Sequence, residues 1–173
     1  MSTTALHPGL HAISLLFSYP DGQWASTPEP EGAETEVGLL LNEMRGLDPI
    51  RLENEYVRLF INAMPEVPCA PYGSVYLEGS VMGESTLKVA DIYRKYGLAT
   101  EEPADHIAVE SEFLAWLHGA AAGDAEARHD FTYLLGHLRE WTGLFFDQVE
   151  QHDQLGYYRR GAGVARTLLV QID

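Results

Sequence analysis

The chain has 173 residues, 46% hydrophobic and 21% charged, which is enough for one domain with a full hydrophobic core and excludes collagen-like and disordered classes. Its 26 acidic and 11 basic residues leave a net charge of −15, which argues against autonomous binding to nucleic acid or an anionic membrane, because phosphate recognition needs a basic surface. A single cysteine, Cys69, excludes an internal disulfide and any multi-cysteine zinc or iron–sulfur site.

Met1 to Leu6 carry no side-chain positive charge, so no signal peptide is expected. No apolar run approaches the roughly 20 residues of a membrane span. A soluble, cytoplasmic protein is the expectation. Leu6, Leu10, Ile13 and Phe17 mark one face of a first helix that stops before Pro20. Residues 20–33, rich in Pro, Gly, Glu and Ser, read as a loop. Val37, Leu40, Leu41 and Met44 mark a second helix, with Gly46 placed to end it. Asp48-Pro49 reads as an N-cap followed by proline at the first helical position. The helix it opens continues through Leu52, Tyr56, Leu59 and Phe60.

Pro65, Pro68 and Pro71 then interrupt the helical pattern. Ser74-Val75-Tyr76-Leu77 has a short, isolated β character. Helical spacing resumes with Val89, Ile92, Tyr93 and Tyr96, and Gly97 closes it. The next helix carries Val109, Phe113, Trp116, Leu117 and Ala120. Asp124 opens another, through Phe131, Leu134, Leu138, Phe145 and Val149; Gly136 and Gly143 weaken it, which leaves one helix or two pieces open. A last helix runs from about Tyr157 to Ile172. The reading is an all-α fold over residues 1–173, one domain of seven or eight helices with a proline-rich loop.

Motifs for common chemistries are absent. The sequence has no phosphate loop, no G-x-G-x-x-G, no G-x-S-x-G elbow and no His-Glu-x-x-His. His7 and His11 have metal-ligand spacing but no local third ligand, and no histidine stands out as a haem ligand, so no metal or other cofactor is expected. Cys69, between Pro68 and Ala70, lacks a local activating group and reads as a packed thiol. Asp105-His106 sits at an expected helix start. Three readings stay open for it: an N-cap, a polar recognition pair, or an acid/base dyad. Acidic charge concentrates in residues 28–55, with eight acids and two arginines, and in residues 101–130, with eight acids and one arginine. A cationic partner suits such a chain, and solvated helix faces are the plain alternative.

Three stretches in order carry a resemblance. They are Glu55-Tyr56-Val57-Arg58-Leu59-Phe60 with the later Pro71-Tyr72-Gly73-Ser74; Gly83-Glu84-Ser85-Thr86 with a helix ending Tyr96-Gly97-Leu98; and Glu102-Pro103-Ala104-Asp105-His106 with Glu110 behind it. Together with Tyr157-Tyr158-Arg159 near the C-terminus, the set resembles the TorD/DmsD family of molybdoenzyme maturation chaperones. The resemblance covers roughly residues 37–170. It implies an all-helical, non-enzymatic protein that binds the twin-arginine leader of a DMSO-reductase-type precursor in the cytoplasm, assists molybdenum-cofactor insertion and prevents premature export. It implies contact with cofactor-delivery proteins, and either a monomer or a dimer formed by helix exchange about residues 97–104 or 119–125. The positions it assigns to leader binding are Tyr56, Leu59, Phe60, Pro71, Tyr72, Gly83, Asp105 and His106. Tyr56 and Tyr72 stand where some relatives carry tryptophan, and Ser111 where leucine is frequent.

A twin-arginine leader offers two guanidinium groups followed by an apolar run, and its recognition needs an apolar groove with carboxylates at one end. Asp105, Glu101 and Glu102 are candidates for the carboxylates. Leu59 and Phe60 are adjacent on a helix, so one faces the core while the other is free to line a groove. The competing functional readings are a weak nucleotide hydrolase and a general helical interaction module.

Overall fold

The computed structural model describes residues 6–21 and 35–173. Most of the predicted loop at 20–33 lies outside these residues. The all-α expectation holds: the described residues form eight α-helices and no strand.

Helix α1 (Pro8–Phe17) is capped by His7, whose Nδ1 accepts from the Leu10 N–H at 3.3 Å. Helix α2 (Thr35–Gly46) follows. Helix α3 (Pro49–Tyr56) starts as its sequence predicts, with Asp48 Oδ1 accepting from the Ile50 N–H and proline at the first position. It does not continue as regular helix to Phe60. Val57–Ile61 form one π-helical turn, closed by the Asn62 N–H on the Val57 carbonyl at 2.8 Å.

Residues 74–77, whose β character is too short and isolated to make a strand, lie in a short helix, α4 (Gly73–Glu78). A lone strand has no ladder partner for its backbone, whereas the buried start of this helix finds acceptors in the Asp105 residue. Helix α5 (Glu84–Lys95) ends ahead of Gly97. Gly97 adopts φ +71°, a left-handed conformation that favours glycine at a helix end.

Helices α6 (Ile107–Ala121), α7 (Ala125–His152) and α8 (Tyr157–Gln171) complete the chain. Asp124 caps α7 as expected, its Oδ1 accepting from Glu126 and Ala127. Of the two readings open for this stretch, the single helix is the one that forms: the 28 residues of α7 run unbroken through Gly136 and Gly143. Each glycine costs about 1 kcal/mol relative to alanine, but the buried stripe of Phe131, Leu134, Leu138, Trp141, Phe145 and Val149 outweighs that cost.

Helices α1, α6, α7 and α8 form the centre of the fold, packing cyclically: α1 on α6, α6 on α7, α7 on α8 and α8 back on α1. Trp141, Phe145, Phe146, Phe17, Tyr157 and Tyr158 are its largest fully buried side chains. Helix α2 leans on α8, and α4 lies across α7 and against α5. The proline-rich segment between Ile61 and Gly73 therefore crosses from the π turn to the start of α6, where the candidate site lies.

Candidate functional site

Tyr72 and His106 form a single antiparallel bridge that pins the proline-rich segment to the start of α6. The Gly73 N–H donates to the Asp105 carbonyl at 3.1 Å, and the Ile107 N–H donates to the Pro71 carbonyl at 2.9 Å. Glycine is required at 73 because a Cβ there would lie 2.8 Å from Trp141 Nε1. Of the readings open for Asp105-His106, capping belongs to the histidine. His106 Nδ1 accepts from the Ala108 N–H at 3.1 Å. Asp105 is fully buried, and its Oδ2 accepts from the Ser74 N–H at 2.7 Å.

Beside this bridge lies a cleft of about 340 Å³ whose walls include Tyr19, Tyr56, Phe60, Pro71, Tyr72 and His106. Tyr56 and Phe60 lie one turn apart, with ring centroids separated by 4.9 Å. Tyr56 is fixed from behind, since its hydroxyl donates to the Phe17 carbonyl at the end of α1. Phe60 packs edge-on to Tyr158 at 5.2 Å, and Tyr19 meets Tyr56 edge-on at 5.3 Å. Tyr72 and His106 meet at 5.4 Å. Glu102, exposed, is the carboxylate among the lining residues, and no lysine or arginine lines the cleft.

The electrostatics follow from burial. Desolvation pushes His106 down to about 4, against the pull of neighbouring Asp105, so the imidazole is neutral at pH 7. Because its Nδ1 accepts the capping N–H, the ring proton is assigned to Nε2. Burial raises the Tyr72 phenol, and the Glu102 charge raises it further. The cleft thus combines uncharged aromatic walls with one negative charge at its rim. That arrangement suits a guanidinium, which stacks on aromatic faces and donates hydrogen bonds to a carboxylate.

Of the eight positions expected to bind a leader, Tyr56, Phe60, Pro71, Tyr72 and His106 meet in this cleft. Leu59, Asp105 and Gly83 do not line it. Leu59 is fully buried in the core while Phe60 lines the cleft, which divides the adjacent pair as their helical spacing requires. Asp105 lies behind the wall, where it holds the start of α4. Gly83 precedes α5, and a Cβ there would fall 2.2 Å from Glu78 Oε2. The bare glycine lets the Glu78 carboxylate accept from the Glu84 and Ser85 N–H groups at 2.6 and 2.8 Å, capping α5.

Two contributions had little signal in the sequence. Tyr19 joins the cleft wall from the end of α1, outside any motif. Glu110 and His137 meet at 2.7 Å behind the wall, 27 residues apart. Glu110 is wholly buried. Only the charged type of Glu110 on an otherwise apolar helix face hints at a partner. Among the described residues no cluster has the composition of a metal site. His7 instead sets its ring against His118 at 4.7 Å. Cys69 is fully buried, and desolvation pushes its thiol up to about 12, which fits a packed side chain. No helix among the described residues is long and apolar enough to cross a membrane.

Comparison with known proteins agrees with this architecture. Residues 27–147 match the family model described as nitrate reductase delta subunit. The chain is 28% identical over 147 residues to the chaperone protein TorD of Vibrio cholerae, covering 76% of this chain and 66% of the relative. It is 30% identical over 128 residues to the chaperone protein YcdY of Escherichia coli K12, covering 74% of this chain and 66% of that one. The chain thus spans just under two thirds of the length of both relatives. A crystal structure of an Archaeoglobus fulgidus protein, described as a redox enzyme maturation protein, superposes with a TM-score of 0.65 at 33% identity, covering 93% of this chain and 90% of the other. Both named relatives are described as chaperone proteins. By family model, sequence and fold, the chain belongs to the nitrate reductase delta subunit family and, within it, to the TorD/DmsD maturation chaperones.

Proposed function

We propose that this protein is a cytoplasmic chaperone for the catalytic subunit of a DMSO-reductase-type molybdoenzyme, and that it holds the precursor by a leader in which arginines precede an apolar run. The observation that carries this reading is the aromatic cleft with Glu102 at its rim and a neutral His106 in its wall. A neutral imidazole leaves the carboxylate uncancelled, so an arginine entering the cleft keeps its charge-assisted bond. The tyrosines supply rigid contact area at low ordering cost. The adjoining prolines restrict the segment before binding, which lowers that cost further.

Capture from the native host with tagged protein, followed by mass spectrometry, tests the reading. The expected result is a molybdoenzyme catalytic subunit that still carries its leader. Recovery of that subunit without a leader, or of no molybdoenzyme while one is expressed, contradicts the leader-binding assignment. Titration calorimetry localises it: Glu102→Gln and Tyr72→Ala are each expected to weaken a synthetic arginine-containing leader peptide by about tenfold, the scale of one charge-assisted contact.

A further inference from the structure

We propose that the peptide-binding surface continues along α6 into a second, apolar cleft, which receives the apolar segment that follows the cationic one. The proposal rests on the leader-binding reading above and extends it.

The second cleft has a volume of about 420 Å³, and Tyr93, Leu98, Val109, Phe113 and Trp116 form most of its wall. Val109 lines the first cleft as well, so the two share a wall. Val109, Glu112, Phe113 and Trp116 fall at i, i+3, i+4 and i+7 of α6, one continuous helix face. The loop after α5 serves both clefts: Leu98, Ala99 and Thr100 border the second and Glu102 borders the first. Between His106 and Trp116 the helix rises about 15 Å. That length takes about ten residues of helical peptide or four to five of extended chain.

The walls are preformed. Tyr93 packs on Phe113 at 4.1 Å, and Phe113 stacks on Trp116 at 5.7 Å. Yet Leu98 and Leu6, which also border the cleft, are 42% and 41% exposed. Charge selects the occupant. Glu112 is the charged residue lining the second cleft, and neither cleft is lined by lysine or arginine. A second copy of this chain would bring another net charge of −15 to an acidic rim. A segment with cationic residues beside apolar ones meets no such repulsion, and its apolar side chains leave water on entering the cleft.

The test uses the full chain and two synthetic peptides. The short one has eight residues with two adjacent arginines, and the long one adds a twelve-residue Leu/Ala run after them. Wild type is expected to bind the long peptide at least tenfold more tightly. Leu98→Glu, at an exposed loop position, is expected to remove about that advantage and leave the short peptide's affinity unchanged, with an unaltered circular dichroism spectrum. Tryptophan emission is expected to shift to the blue with the long peptide only, and Trp116→Phe is expected to abolish that shift. Equal affinities for the two peptides, or a Leu98→Glu variant indistinguishable from wild type, overturn the second cleft. Leu98→Glu dissociating a dimer on sizing without changing either affinity also overturns it, in favour of self-association. Failure of wild type to bind either peptide overturns the leader-binding reading itself.

Discussion

Asp105 and Ser74 are 31 residues apart in sequence and meet at 2.7 Å in the interior, the Asp105 carboxylate accepting the Ser74 N–H. The aspartate of the Asp-His pair therefore acts from behind the cleft. It fixes the start of α4, and with it the Tyr72 wall that His106 faces from the other side. The pair divides its labour: the buried acid positions the wall, and the histidine caps α6 and lines the cleft.

Asp105→Ala leaves a buried N–H without its acceptor and is expected to cost about 2 kcal/mol in urea unfolding. Native circular dichroism should stay unchanged, because the helices of the central bundle do not depend on this contact. Peptide affinity should fall with the displaced Tyr72 wall. Asp105→Ala with unaltered stability would show that Ser74 has another acceptor.

His106 favours the neutral state in the folded chain, so acid opposes its cap. Protonated Nδ1 cannot accept from Ala108. A folded value near 4 against 6.5 unfolded means that its contribution is present above pH 6.5 and is lost progressively as pH falls to 4, about 3 kcal/mol over the window. Asn at 106 can still cap but does not titrate. His106→Asn is expected to flatten the stability profile between pH 6.5 and 4 relative to wild type, read by urea midpoints.

Glu110 and His137 move the profile the other way. Burial raises the Glu110 carboxyl despite the nearby imidazole. Burial lowers His137, but the hydrogen bond and charge of Glu110 outweigh it and the net shift is upward. The folded pair therefore holds its proton to higher pH than the unfolded chain, and stability falls as pH rises above 6.5. Glu110→Gln should remove this slope. Glu110→Ala should cost about 3 kcal/mol by leaving His137 without its buried partner. A wild-type profile flat from pH 6.5 to 9 would contradict the assignment.

Gly83 and Glu78 should behave as one unit. Gly83→Ala places a Cβ against the Glu78 carboxylate and displaces it from the Glu84 and Ser85 N–H groups. Gly83→Ala and Glu78→Ala are each expected to lower the urea midpoint, and the double variant to fall no further than the worse single one. Peptide affinity should not change, since neither residue lines the cleft.

Gly136 lies exposed in the middle of α7 with no atom near the place of a Cβ. Gly136→Ala is expected to stabilise the fold by about 1 kcal/mol. A loss of stability would contradict the open space around this position.

The sequence by itself determined the helical class, most helix starts and the core faces, because these rest on local capping chemistry and a 3.6-residue period. Asp48-Pro49, Asp124 and Gly97 do their work within a few residues of themselves, and their roles are legible without a fold. The five positions that meet in the cleft were legible as a set through the family resemblance, but their grouping was not. Only the tertiary structure decided that Asp105 faces inward, that Gly83 serves Glu78, that residues 73–78 coil into a helix, and that α7 runs through its two glycines. Each of these outcomes depends on a partner distant in sequence or on burial summed over a whole helix, and neither quantity is contained in local spacing. The cleft itself is of this kind: Tyr19, Tyr56, Tyr72 and His106 come from four separate segments, and only packing around the α1–α6–α7–α8 core sets them side by side.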